Sequence, residues 1–236
     1  VDGTLAHGRS YDLVSEDSTS LIELLAALRE WIGFPKARRV VHIPAPFVSG
    51  LSRVADALGH LGWRSPLRRT AMQVLATGID GNPEDWRDAG MPPCMNLREA
   101  LDAVPPTLPD RVHARMALAM PIVVGVLALF WLLSGMMGVV SFDRAVDVLT
   151  VREMDPAFAA LVVGAGSIAD LALGAAVLVR RWARPAMLGM IGLSIGYLLA
   201  GSMWTPDLWL DPLGPFVKVL PTLVLGWVGW SMLEAR

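Results

Sequence analysis

Residues 116–142, MALAMPIVVGVLALFWLLSGMMGVVSF, contain no charged side chain. A helix of roughly 20 apolar residues crosses the hydrocarbon core of a bilayer, which is about 30 Å thick, so this run is long enough to span it. Three further apolar runs are present, at residues 156–179, 185–203 and 213–233. Buried helices of soluble proteins rarely reach this length four times in succession. The sequence therefore predicts an all-α bundle of four transmembrane helices, with the lipid bilayer as its first partner.

Basic residues predict how these helices are oriented. Arg180, Arg181 and Arg184 lie between the second and third runs, and Arg111 and Arg115 precede the first. The other two connections are poorer in arginine and lysine. The positive-inside rule then places both termini in the cytoplasm. An even number of spans agrees with this, because it puts both termini on the same side. We expect a multi-pass protein of the plasma membrane.

The distribution of charge divides the chain into two domains. Thirteen of the twenty Lys and Arg residues lie at or before Arg115, and the apolar runs fill most of the chain beyond it. Such a shift in composition predicts a boundary near residues 111–116, with domains at 1–111 and 112–236. The net charge of −2 offers no basic face, so a nucleic-acid partner is not expected.

The second apolar run carries a carboxyl group, Asp170, between Gly166 and Gly174. Residues four apart share one face of a helix, and small residues allow membrane helices to approach closely. Asp170 is therefore expected to face protein rather than lipid, where a carboxylate would cost at least about 2.5 kcal/mol. Two interpretations stay open: a proton or cofactor site inside the bundle, or a structural hydrogen bond to a neighbouring helix.

Three further residues complete a candidate intramembrane polar site: Lys218, Asp211 and Tyr197. Lys218 is the obvious cationic partner for Asp170, but the depths fit poorly. Asp170 lies roughly 20 Å from the outer end of its run, whereas Lys218 lies only roughly 8 Å into the fourth. The alternative is that Lys218 extends outward toward Asp211.

The first domain is predicted to be mixed α/β. Alternation at residues 8–13 and an apolar run at 39–43 predict two short strands. A capping box at Ser20 and Glu23 predicts a helix that ends at Gly33. Further helices are expected at 47–61, at 66–75 and, capped by Asn96, at 97–103.

No catalytic, cofactor-binding or metal-ligating residue is predicted. The chain has no glycine-rich phosphate loop, no G-x-S-x-G and one cysteine, Cys94. The histidines are too scattered for a metal site: His7, His42, His60 and His113. Arg64, Arg68 and Arg69 could meet an anionic ligand or lipid head groups, or could form a salt-bridged helix face.

Two parts of the chain resemble known families. Residues 8–33, GRSYDLVSEDSTSLIELLAALREWIG, and 38–59, RRVVHIPAPFVSGLSRVADALG, resemble the C-terminal part of atypical short-chain dehydrogenases of the NmrA-like and NAD-dependent epimerase-like type. Residues 206–221, with P-x-LW-x-DPLGP-x-VK-x-LP, resemble the DoxX-like membrane domain, which follows such a dehydrogenase in some bacterial proteins. The resemblance implies an incomplete Rossmann-type α/β segment in the cytoplasm, followed by a membrane bundle in a bacterial inner membrane.

The same resemblance implies that this chain is catalytically incomplete. The dehydrogenases' nucleotide loop and Tyr-x-x-x-Lys pair would lie upstream, and Tyr11 and Tyr197 are followed at the fourth position by Ser15 and Gly201. The chain is then expected to be a fragment, or to pair with a separate Rossmann half. It would bind no cofactor alone, and NAD(P) would belong to the full-length protein.

Three functions remain open, and with them whether the protein is an enzyme. The first is the membrane-anchoring part of a dehydrogenase- or epimerase-like protein. The second is a structural or scaffolding bundle. The third is a redox subunit that binds a quinone or a redox partner, which the DoxX resemblance implies because DoxX proteins are linked to quinone-dependent sulfur oxidation.

Overall fold

The structure, a computed structural model, describes residues 8–63, 65, 67–78, 80–212 and 214–233, with only the backbone of Ala45. The described part is 71% helical and contains no strand. It divides into two compact units. The first unit holds the described residues up to Gly59 and those from 65 to Arg115. The second holds His60–Trp63 and the described residues from Met116 onward.

Five helices form within the first part of the chain. They are α1 (Leu21–Ile32), α2 (Ala45–His60), α3 (Arg69–Thr77), α4 (Glu84–Asp88) and α5 (Leu97–Ala103). The helices predicted at α1, α2 and α5 are confirmed, α3 begins later than predicted, and α4 was not predicted. Pro66, at the predicted start of α3, lies outside the described residues.

The ends of α1 and α5 form as their sequences predict. The Ser20 hydroxyl accepts from the Glu23 N–H, and the Glu23 carboxylate accepts from the Ser20 N–H. Asn96 and Glu99 repeat this reciprocal arrangement on α5. These bonds satisfy amide groups that the first turn of a helix leaves without partners.

The mixed α/β prediction for the first domain is wrong. Residues 8–13 and 39–43 form no strand, so the described part holds no incomplete Rossmann-type segment. A strand persists only when a neighbour pairs with its amide and carbonyl groups. The apolar side chains of 39–43 find no such layer, and Val41 is 78% exposed.

The second unit is built mostly from apolar helices. They are α6 (Leu108–Val140, which begins in the first unit), α7 (Phe142–Thr150), α8 (Pro156–Leu178), α9 (Arg180–Trp204) and α10 (Val219–Met232), with a 3₁₀ turn at Pro206–Trp209. Within the described residues α6, α8 and α9 are long and apolar enough to cross a membrane. The chain is therefore a multi-pass membrane protein.

The fourth predicted span is shorter than expected. α10 has 14 residues, which at 1.5 Å per residue reach about 21 Å. Leu213, where the fourth run was expected to begin, lies outside the described residues. The preceding residues form turns that end at Lys218, in keeping with the prolines and glycine of this stretch.

Adjacent helices of the second unit run antiparallel. α6 approaches α8 at Leu132 and Gly174, and again at Gly138 and Ser167. Along each of the pairs α8–α9 and α9–α10, too, residue numbers rise on one helix as they fall on the other. The buried core between them is apolar: Val123, Val124, Leu127, Ala128, Trp131, Val177, Ala183, Ala186, Met187, Met190 and Leu233.

Two boundaries differ from the sequence prediction. α6 begins at Leu108 rather than 116, because the Thr107 N–H and hydroxyl both donate to Asp110 and cap the helix early, at 2.8 and 2.6 Å. The basic residues assigned to the second connection, Arg180 among them, lie in the first turns of α9. Only Val179, with extended ψ, separates α8 from α9.

Candidate functional site

Asp170 lies in the interior of the second unit and is bonded to two other helices. Its side chain is buried, with the residue 4% exposed. The Ser134 hydroxyl on α6 donates to Oδ2 at 2.6 Å, and the Tyr197 hydroxyl on α9 donates to Oδ1 at 2.8 Å. Both carboxyl oxygens therefore accept a hydrogen bond from a neighbouring helix, and one side chain links three helices.

The glycines on either side of Asp170, Gly166 and Gly174, allow the neighbouring helices to approach it closely. A Cβ at Gly174 would lie 2.9 Å from the Leu132 amide nitrogen, and one at Gly166 would lie 2.9 Å from the Tyr197 hydroxyl oxygen. A methyl group at Gly174 would meet the α6 backbone, and one at Gly166 would displace the Tyr197 hydroxyl. The small side chains bring α6 and α9 close enough for their hydroxyls to reach the carboxyl group.

The structure separates the four predicted site residues into two places. Asp170 and Tyr197 meet, as described. Lys218 is exposed at the start of α10, and its N–H donates to the Gly214 carbonyl at 3.1 Å. Asp211 lies in the turn before it, where its carbonyl accepts from the Gly214 N–H at 2.8 Å. Among the described residues, Asp170 forms no ion pair.

Ser134 was not among the predicted site residues. A signal was present, since Ser134 is one of two hydroxyl residues in the charge-free run 116–142 and is followed by Gly135. A Cβ at Gly135 would lie 2.7 Å from the Ser167 carbonyl oxygen, so α6 and α8 are in backbone contact at this level. The pairing itself depends on helix rotation, which the sequence does not specify.

Trp131 lies one turn before Ser134 and is also buried. The residue is 2% exposed, and its indole N–H has no hydrogen-bond partner among the described residues. A buried donor without an acceptor costs about 1–3 kcal/mol. Among the described residues, this unsatisfied donor lies one turn of α6 from the serine that bonds Asp170.

A short segment of the N-terminal half packs against the junction of α8 and α9. The Trp63 indole N–H donates to the Leu178 carbonyl at 2.6 Å, and the Arg180 N–H donates to the Leu61 carbonyl at 2.8 Å. The Arg180 guanidinium lies 5.5 Å from the centre of the Trp63 ring. These contacts explain why His60–Trp63 belongs to the second unit although both neighbouring stretches belong to the first.

An ion pair joins two connections at the opposite end of the second unit. The Arg152 guanidinium donates to both carboxylate oxygens of Asp207, at 3.2 and 2.6 Å. This bonding lowers the pKa of Asp207 and raises that of Arg152. The two-pronged geometry fixes the loop after α7 against the 3₁₀ turn after α9.

The other polar clusters of the described residues form no comparable site. No group of three or more His, Cys, Asp or Glu residues could hold a metal ion there. Arg68 and Arg69 lie 3.6 and 3.5 Å from the Asp56 carboxylate, in the salt-bridged arrangement, while Arg64 lies outside the described residues. His7 also lies outside them.

Comparison with known proteins identifies one domain. Residues 128–227 match the DoxX-like family. No curated protein and no solved structure matches the sequence. A DoxX-like domain therefore occupies residues 128–227, which contain Ser134, Asp170 and Tyr197. The match does not extend to residues 8–59, where the dehydrogenase resemblance was drawn.

Proposed function

We propose that this chain is a membrane-anchoring protein, in which a cross-linked helical bundle holds the N-terminal half of the chain at the bilayer surface. The observation that carries the proposal is the docking of Leu61–Trp63 at the junction of α8 and α9, through Trp63 and Arg180. A second, covalent connection exists at α6, which begins in the first unit and continues into the second.

The Asp170 bonds support a structural role for the bundle. Both carboxyl oxygens are occupied by hydroxyl groups of the chain, so the carboxyl group restrains α6, α8 and α9 relative to one another. An anchor requires such restraint, because helices in lipid gain no hydrophobic free energy from association.

The anchoring proposal is tested by cutting one of the two connections. The N-terminal fragment also contacts α6 beyond residue 107, where the Arg115 guanidinium lies 5.9 Å from the centre of the Phe34 ring. The test therefore uses an Arg115→Gln background with a protease site placed at 104–107 of the full chain, reconstituted in vesicles. Cleavage then cuts the covalent connection and leaves the docked Leu61–Trp63 segment in place. We expect the fragment to stay with the vesicles after cleavage. Trp63→Ala should release it, because the variant loses both the bond to the Leu178 carbonyl and the stacked ring.

A matched variant separates this effect from general loss of a tryptophan. Trp86→Ala removes an indole whose N–H donates to the Pro92 carbonyl within the first unit, and it should leave the fragment attached. If the fragment leaves the vesicles without any substitution, the docked segment does not hold it and the proposal is wrong.

A more specific form of the proposal links the anchor to a dehydrogenase. It is supported by the resemblance of residues 8–33 and 38–59, and in it a Rossmann half encoded upstream or separately would be held at the membrane. The present chain should then bind no NAD(P)H. Calorimetry with the purified chain tests this form, and tight binding would contradict it.

A second candidate function is binding of a lipid-soluble ligand with a carbonyl acceptor, such as a quinone. It is favoured by the buried indole N–H of Trp131, which has no acceptor among the described residues and lies one turn from Ser134. Extraction of the purified protein should then yield a quinone, and Asp170→Leu should abolish its retention. Mass spectrometry that finds no bound lipid-soluble cofactor would remove this candidate.

A further inference from the structure

Three arginines lie together at the start of α9. Arg180, Arg181 and Arg184 occupy its first two turns, immediately after α8 ends. The ion pairs of the described residues all involve other side chains, so none of these guanidinium groups lies within 4.0 Å of a described carboxylate. This end of the second unit therefore carries positive charge that the described residues do not neutralise.

Each guanidinium of the cluster packs on a tryptophan ring. Arg180 lies 5.5 Å from the centre of the Trp63 ring, Arg181 5.7 Å from Trp182 and Arg184 4.9 Å from Trp230. Stacking on a ring orients a guanidinium and leaves the N–H groups in its plane to bind oxyanions. The Arg184 Nε is itself buried without an acceptor among the described residues.

The cluster lies at the end of the apolar helices, where lipid head groups are expected. It begins where the apolar α8 ends, and Trp230 brings the end of α10 to the same level. Trp182 is 55% exposed beside it. Tryptophan is enriched at this depth because its ring is amphipathic and tolerates both hydrocarbon and water.

We propose that Arg180, Arg181 and Arg184 bind the phosphate group of an anionic phospholipid. Arginine binds phosphate oxygens through two parallel N–H bonds, and basic clusters at helix ends attract acidic lipids. Zwitterionic lipids are expected to bind more weakly, because their own ammonium group is repelled by the cluster. These lipid contacts belong to the second unit, and they share only Arg180 with the anchoring proposal.

The test compares lipids on the purified full chain in a neutral detergent. Short-chain phosphatidylglycerol and phosphatidylcholine are titrated separately, and binding is followed by native mass spectrometry. We expect a preference for phosphatidylglycerol that falls about fivefold in Arg181→Gln, which corresponds to about 1 kcal/mol per basic residue near an anionic surface. Arg181 is exposed, so its loss should leave the fold intact.

Further variants separate phosphate recognition from other effects. Arg181→Lys should keep most of the preference, and adding Arg184→Gln to Arg181→Gln should lower it further. Arg144→Gln, an exposed arginine on α7 at the opposite end, should leave it unchanged. Equal loss in Arg144→Gln, or no loss in the double variant, would overturn the proposal. Competition by millimolar inorganic phosphate would also overturn it, since the ligand would then be the free ion.

Discussion

Asp170 is held in position by its two hydrogen bonds more than it is stabilised by them. Insertion of a carboxylate into a bilayer costs at least about 2.5 kcal/mol, whereas bonds between membrane helices contribute about 0.6 kcal/mol on average. The free energy contributed by two such hydrogen bonds is smaller than the cost of exposing a carboxylate to lipid. They supply instead a defined arrangement of Ser134 on α6, Asp170 on α8 and Tyr197 on α9.

Substitutions in this trio should have graded effects on stability. Tyr197→Phe and Ser134→Ala each remove one donor, and each should lower the free energy of unfolding by about 0.6 kcal/mol and at most about 1.7 kcal/mol. Asp170→Leu should cost more, about 1–3 kcal/mol, because it leaves the Ser134 and Tyr197 hydroxyls both without their acceptor inside an apolar bundle. Asp170→Asn should cost least, since an amide can still bond both hydroxyls.

Denaturant titration in mixed micelles measures these differences. Ser231→Ala is the matched control, because its exposed hydroxyl donates to the Val228 carbonyl of its own helix. An Asp170→Leu variant as stable as the natural protein would show that the trio contributes nothing to the bundle.

The Arg152–Asp207 pair predicts a dependence on pH at the opposite end of the bundle. Bonding to Arg152 lowers the pKa of Asp207 in the folded protein below its ordinary value. The contribution of the pair is therefore complete above about pH 4, the pKa of an unperturbed aspartate, and is lost as the pH falls through the folded value. Asp207→Asn should lower the melting temperature slightly at pH 7 and not at pH 2.5.

Thermal melts at the two pH values check this expectation. Asp207 is exposed and Arg152 is half-buried, so solvent still screens the pair and the effect should also shrink in high salt. A difference between the natural protein and Asp207→Asn that is larger at pH 2.5 than at pH 7 would contradict the assignment.

Site residues were only partly predictable at this scale. Asp170 stood out because a carboxyl group in an apolar run is rare, and Tyr197 was among its candidate neighbours. Lys218 was weighed as a partner on charge alone, yet it is exposed at the start of α10. Ser134 was missed because a serine carries little signal until the rotation of its helix is known.

At the scale of elements, similar patterns of small residues on two helices differ in whether they contact a neighbouring helix. Gly166 and Gly174 on α8 face neighbouring helices at close range. Gly192 and Gly196 on α9 lie on one face in the same way, but a Cβ at either would meet no described atom within 4 Å. The spacing of small residues therefore identifies a face of the helix. Which neighbouring helix packs on that face depends on how the helix is rotated in the bundle.

This difference predicts which glycines tolerate a methyl group. Gly135→Ala should destabilise the bundle by about 1–3 kcal/mol, because its Cβ would lie 2.7 Å from the Ser167 carbonyl oxygen and 2.9 Å from the Leu171 amide nitrogen. Backbone atoms cannot move aside as a flexible side chain would. Gly125→Ala, on the same helix with nothing within 4 Å, should cause no loss.

The same denaturant titrations distinguish the two glycine variants. Comparable destabilisation by Gly135→Ala and Gly125→Ala would mean that α6 responds to helix propensity rather than to contact with α8. In that case α6 and α8 do not pack closely at Gly135.

The two expected strands fail at the scale of elements as well. Val40 and Val41 have strong strand preference, but preference acts only when another strand is available to pair. Both side chains are exposed, so this segment gains no free energy from burial either. Nothing therefore stabilises it as a strand.

At the scale of the whole molecule, the unequal charge of the two ends of the bundle predicts its orientation. The end with Arg180, Arg181 and Arg184 is expected on the cytoplasmic side. Cys94, the single cysteine of the chain, precedes α6 and should then be protected from a membrane-impermeant maleimide in intact cells. It should become labelled once the cells are opened.

A second cysteine position serves as the control for this experiment. In a Cys94→Ser background, Arg144→Cys places a thiol on α7, at the opposite end of the bundle, and it should be labelled in intact cells. Labelling of Cys94 before lysis and of position 144 only after it would reverse the proposed orientation.

The sequence by itself determined that this is a membrane protein and where its long helices lie. An apolar segment without charges must be long enough to cross the hydrocarbon core of the bilayer, and this requirement does not depend on which helices surround it. It also determined the caps of α1 and α5, which depend on residues three apart. Only the tertiary structure decided that 39–43 pairs with no strand and that Asp170 meets Ser134 and Tyr197. Those outcomes depend on which faces of distant segments meet, and that is set by the packing of the whole bundle.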